Sequence, residues 1–108
     1  MRARTEKLIK AYYDRFNAQD VEGFLALLSD TVVHEISQGG TERGKPAFRK
    51  FLTHMNACYR ERAKNLAVMA TPDGRRAAAE FELTGTYLAT DGTLPRATGQ
   101  RYRLRVGA

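Results

Sequence analysis

The chain of 108 residues has one cysteine, two histidines and no long apolar run. A lone Cys58 cannot close an internal disulfide, which fits a reducing compartment. No stretch reaches the roughly 20 apolar residues that a membrane-spanning helix requires. The opening, Met1-Arg2-Ala3-Arg4-Thr5-Glu6-Lys7, carries charge and lacks the apolar stretch and cleavage site of a secretory signal. A cytoplasmic location without membrane contact is therefore expected. His34 and His54 have no cysteine or carboxylate cluster at ligand spacing, so no metal site is expected. There is no internal repeat, low-complexity tract or linker, and residues 1–108 read as one domain.

What is present is a globular balance, with 43% hydrophobic residues, and an excess of positive charge of +6. Charge of that kind marks a nucleic-acid surface only where it clusters on one face. Here Arg60, Arg62 and Lys64, then Arg75 and Arg76, then Arg101, Arg103 and Arg105 lie among or near the acids Glu61, Glu80 and Glu82. No stacking motif, zinc-ligand set or helix-turn-helix pattern accompanies them, and no nucleic-acid partner is expected.

Leu8, Ile9, Tyr12, Tyr13 and Phe16 recur at helical spacing and predict a helix from about Arg4 to Asn17. Asp20 reads as the N-cap of a second, short helix carrying Val21, Phe24, Leu25 and Leu28 on one stripe. The β-branched segment from Thr31 to Ile36 predicts a strand, and Gly39, Gly40 and Gly44 a loop or tight hairpin. Pro46 opens a third helix whose stripe is Phe48, Phe51, Leu52, Met55 and Tyr59. Strands follow at Leu66 to Thr71, at Arg75 to Ala89 after a Pro72-Asp73-Gly74 turn, and at Gly99 to Val106. In the middle strand Ala79, Phe81, Leu83 and Tyr87 alternate with Glu80, Glu82, Thr84 and Thr86. In the last, Tyr102, Leu104 and Val106 alternate with Arg101, Arg103 and Arg105, which reads as a solvated charge ladder beside Glu80 and Glu82. The order of elements is an α+β pattern, not alternating β-α-β units.

The run Tyr12-Tyr13-Asp14-Arg15-Phe16-Asn17-Ala18-Gln19-Asp20, followed by Phe24 to Asp30, resembles the opening of the ketosteroid isomerase and nuclear transport factor 2-like (SnoaL-like) superfamily. The segment from His34 to Gly40, through Gly44-Lys45 and the Phe48 helix, is similar to its ketosteroid isomerase-related subgroup. The resemblance implies a cystatin-like α+β roll: a cone-shaped, curved antiparallel sheet packed on three helices around an apolar cavity. It also implies a further strand beyond Ala108, so that a neighbouring chain, or residues beyond this sequence, are expected to complete the sheet. A homodimer is the expected assembly.

By the same resemblance Glu35 falls at the position of a carboxylate base and Tyr12 at that of an oxyanion-stabilising tyrosine. The family's protonated acid falls near Gly107 or Ala108, which have no side-chain donor. Val33 shares a strand face with Glu35, and an acid kept among apolar groups gains basicity. Phe16, Val33, Phe51, Met55, Phe81, Leu83, Tyr87 and Tyr102 are the expected cavity-lining residues. Cys58 reads as a buried structural thiol. The implied activity is that of an isomerase, cyclase or lyase removing a proton next to a carbonyl of a small apolar substrate. No cofactor is implied, because a base and a donor suffice. The alternative is a non-catalytic ligand-binding or dimerisation module, since one fold hosts both.

Overall fold

A computed structural model of the chain describes residues 1–36 and 39–108. Ser37 and Gln38, inside the segment similar to the isomerase-related subgroup, lie outside the described residues. Among the described residues three helices, α1 (Arg2–Asn17), α2 (Val21–Ala26) and α3 (Lys45–Cys58), accompany five strands. These are β1 (Val33–Glu35), β2 (Thr41–Arg43), β3 (Tyr59–Ala70), β4 (Ala77–Tyr87) and β5 (Arg101–Gly107). β1 and β2 form a small antiparallel hairpin, and β3, β4 and β5 an antiparallel sheet in that order. The architecture is α+β, as the order of elements predicts. Among the described residues no helix is long and apolar enough to cross a membrane.

Local chemistry sets the boundaries. Asp20 caps α2 by accepting a hydrogen bond from the Gly23 N–H at 3.0 Å. Pro46 sits in the first turn of α3, where its missing N–H costs nothing. Gly74 takes φ 73° in the β3–β4 turn, and a Cβ there would lie 2.7 Å from the Met1 carbonyl oxygen. The Thr5 hydroxyl donates to the Gly74 carbonyl at 2.7 Å, which ties the start of α1 to this turn.

The core has two centres. Phe24, Leu25, Phe48 and Leu52 make one, where α2 and α3 meet. Ala63, Ala79, Phe81 and Leu83 make the other on the inner face of the sheet, packed against Ile9 and Tyr13 of α1. Phe16 packs against both. Asn17 locks this seam: its side-chain amide donates to the Ala63 carbonyl at 3.0 Å and accepts from the Ala63 N–H at 2.7 Å.

Two expectations are corrected. β3 begins at Tyr59, not Leu66, and takes up Tyr59, expected on the stripe of the third helix, and the charged group that follows it. Its period of two is present but disguised, because the inward positions hold Glu61 and the small Ala63. The register slips between Lys64 and Ala67, with Asn65 at φ 55°, a left-handed conformation that asparagine tolerates. The first strand shrinks to Val33–Glu35, and its phase is the reverse of that expected. Val32 packs into the α2–α3 core and its carbonyl accepts from the Gly44 N–H at 2.8 Å. A strand alternates, so His34 follows Val32 inward and Val33 and Glu35 turn outward.

Candidate functional site

Inward-facing positions on β3, β4 and β5 meet in a row of Glu61, Gly85 and Tyr102, which are register partners across the sheet. Gly85 leaves room for the Tyr102 ring, for a Cβ at that position would lie 2.3 Å from the tyrosine Cζ. The ring crosses the glycine and its hydroxyl donates to Glu61 Oε2 at 2.5 Å. A groove of about 760 Å³ borders this row, lined also by Asn17 at the end of α1, by Gln19 just beyond it, and by the arginines and threonines of the flanking rows, Arg60, Arg62, Thr84, Thr86, Arg101 and Arg103. Burial, reinforced by the Glu61 carboxylate, pushes the Tyr102 hydroxyl well above the usual tyrosine range.

Tyr102 and Arg101 also line a second, mainly apolar recess of about 280 Å³ with Tyr59, Tyr87, Leu94 and Pro95. Tyr59 and Tyr87 stack there with ring centres 5.4 Å apart. The segment 88–100 forms one wall and is held by buried Tyr87, whose hydroxyl donates to the Pro95 carbonyl at 2.7 Å and accepts from the Asp91 N–H at 2.9 Å. Tyr59 donates to Asp91 Oδ2 at 2.7 Å, and His54 Nε2 meets Asp91 Oδ1 at the same distance. Those two hydrogen bonds, Tyr59 first, hold the Asp91 carboxyl below the usual range.

A third arrangement lies under the hairpin. The His34 ring stacks on Phe48 at 4.3 Å and meets Phe51 edge-on at 4.7 Å. Its Nδ1 is 3.9 Å from Oε1 of Glu42, its partner across the hairpin, and among the described residues neither buried atom has a hydrogen-bond partner. Burial pushes the imidazole pKa down, and Glu42 pulls it partly back.

The sequence-expected residues are scattered among these places. Glu35 is exposed on the outer side of β1, and Val33 beside it is 46% exposed, so among the described residues no apolar surround dries that carboxyl. Tyr12 packs against Phe24 at 4.2 Å in the helical core, and burial, then Tyr13, raises its hydroxyl pKa. Of the eight expected lining residues, Tyr87 and Tyr102 border the apolar recess. Phe81 and Leu83 are packed in the sheet core, Phe16 bridges the two core centres, and Phe51 packs on His34. Met55 is half-buried on α3. Glu61, Tyr59 and Asp91 are not among the site residues expected from the sequence. Glu61 could have been found by extending the alternation of Arg60, Arg62 and Lys64 back to Tyr59, whereas Asp91 carries no local signal. The absence of a ligand cluster near the histidines is also corrected: a ring nitrogen of His54, Cys58 Sγ and a carboxylate oxygen of Asp91 lie within 4.8 Å of one another.

Comparison with known proteins adds to this geometry. A proposed polyketide cyclase from Pseudomonas putida KT2440 is 51% identical over 95% of this chain, with TM-score 0.93, and the match covers 77% of that protein. One from Silicibacter sp. TM1040 is 46% identical over 95% of this chain and 75% of its own, with TM-score 0.92. One from Xanthomonas campestris pv. campestris is 42% identical over 98% of this chain and 78% of its own, with TM-score 0.96. No curated protein matches at a significant level. The SnoaL-like domain profile matches residues 9–108, and the chain belongs to that family, within the nuclear transport factor 2-like superfamily.

Proposed function

We propose that the chain is a small-molecule enzyme of the isomerase or cyclase type, which removes a proton next to a carbonyl group. Support for the class comes from similarity to the three proposed polyketide cyclases. Support for the place comes from one observation: a carboxylate and a tyrosine hydroxyl meet in the lining of a polar groove, and the same tyrosine borders an apolar recess. The apolar wall of Tyr59, Tyr87, Leu94 and Pro95 suits an aromatic or alicyclic ligand. Glu61 is the proton acceptor in this reading. Tyr102, with its proton firmly held, is the donor to the oxygen on which charge develops. Substrate would part the Tyr102–Glu61 hydrogen bond and leave each group facing one end of the reacting unit.

The test is deuterium exchange next to the carbonyl in a panel of aryl ketones and β-dicarbonyl compounds in D2O, followed by NMR. Glu61→Gln is expected to slow catalysed exchange at least about a hundredfold, and Tyr102→Phe by about ten- to a thousandfold. Retention of exchange by Glu61→Gln together with its loss in Glu35→Gln would move the base to the hairpin, where the resemblance puts it. Ligand binding without exchange across the panel would favour the non-catalytic module.

A further inference from the structure

We propose that His54, Cys58 and Asp91 form a binding site for a zinc-like divalent metal ion that pins the segment 88–100 to the end of α3. His54 and Cys58 stand one turn apart on α3 and so share a helix face. The segment after β4 is tied to that helix end, since the Leu88 and Ala89 N–H groups donate to the Cys58 carbonyl at 2.7 and 3.3 Å. Asp91 is fixed in turn by its own N–H on the Tyr87 hydroxyl and by Tyr59 on Oδ2. Its remaining oxygen, Oδ1, meets His54 Nε2 at 2.7 Å. Three donor atoms from two separate parts of the chain are thereby gathered within 4.8 Å by contacts that do not depend on any ion.

The spacing and the chemistry both suit zinc. Tetrahedral zinc, with bonds of about 2.0–2.3 Å, sets neighbouring N, O and S ligand atoms about 3.4–3.6 Å apart. The His54–Asp91 distance of 2.7 Å is shorter than that, and the widest spacing allowed by the cluster, 4.8 Å, is longer. The His54 side chain is 55% exposed and free to make the adjustment. A thiolate, a carboxylate and a neutral imidazole balance a 2+ charge, and the soft sulfur selects zinc over magnesium or calcium. Tyr59, on the outer carboxylate oxygen, is the kind of partner that orients a metal-bound carboxylate. Binding breaks the His54–Asp91 hydrogen bond, moves the imidazole proton from Nε2 to Nδ1 by way of solvent, sends the Cys58 thiol proton to solvent, and leaves a fourth position for water.

The test is titration of the untagged full chain with Co2+, then Zn2+. Visible d–d bands and a near-ultraviolet thiolate-to-cobalt band are expected, both lost on adding one equivalent of Zn2+. Zn2+ competition against a chelating dye should give a dissociation constant at or below micromolar. Cys58→Ser should lose the thiolate band, His54→Ala should bind at least tenfold more weakly, and His34→Gln should match the parent. Since Cys58 is buried and its variant could misfold, the exposed His54 variant, checked by circular dichroism, decides the matter alone. Absence of cobalt bands, or equal affinity in His54→Ala, overturns the proposal. None of these measurements needs a substrate, so the result is independent of the proposed proton transfer.

Discussion

His34 is held neutral by its surroundings, with Phe48 and Phe51 against the ring and Glu42 too far to hydrogen-bond its Nδ1. Its depressed pKa has a consequence of fixed sign. The unfolded chain takes up a proton on His34 before the folded chain does, so folding is favoured above the ordinary histidine value, about 6.5. Stability is then lost as pH falls through that value toward the lower folded pKa. Thermal melting between pH 7.5 and 5 should show this decline, and His34→Gln should flatten it; an unchanged slope in the variant would remove His34 as its source. Little of this was legible in the sequence. A strand's phase follows from which residue first reaches the core, and a run of Thr31-Val32-Val33 offers two β-branched candidates with equal claims. Val32 reached it, and the phase of every later residue in the strand followed.

At the scale of elements, the helical stripes of α1 and α3 and the alternation within β4 were legible, because each repeats one period over many residues. β3 was legible only in its second half. Its first half alternates charged with small or acidic residues, and only pairing with β4 shows them to be strand. The wall of the apolar recess is a different case, an irregular segment ordered in part by side chains of strands. Tyr87 supplies both a donor and an acceptor to it from a position only 8% exposed. Tyr87→Phe leaves an N–H and a carbonyl without that partner, and should cost about 1–3 kcal/mol. Faster proteolysis confined to residues 88–100 is expected alongside the loss; a uniform loss of protection over the chain would show that the hydroxyl is not specific to this wall.

At the scale of the whole molecule, the outer face of the sheet stands out. Arg60, Thr86 and Arg101 pair in one row, Arg62, Thr84 and Arg103 in the next, and Lys64, Glu82 and Arg105 in a third. The expected charge ladder is realised only in part: Arg103 meets Glu82 at 2.8 Å, but the first row holds no acid. Neighbouring strands lie about 4.8 Å apart, which puts the flanking arginines of a row about 10 Å from each other, close to the screening length at 0.1 M salt. Melting temperature should therefore rise as sodium chloride increases from 10 to 150 mM, and Arg60→Glu should weaken the rise. A salt-independent melt would mean that the arginines do not repel. The homodimer expected from the sequence is checked in the same buffers by light scattering, where mass at micromolar concentration should be twice that of the chain.

The chain has five tyrosines and no tryptophan. Three of the five, Tyr59, Tyr87 and Tyr102, stand around the apolar recess. Most of the molecule's ultraviolet fluorophores are thus gathered where a ligand would sit, and the Tyr102 hydroxyl already donates to a carboxylate able to quench its emission. Occupancy of that hollow can be read from the untouched protein, with no dye, label or assay of turnover.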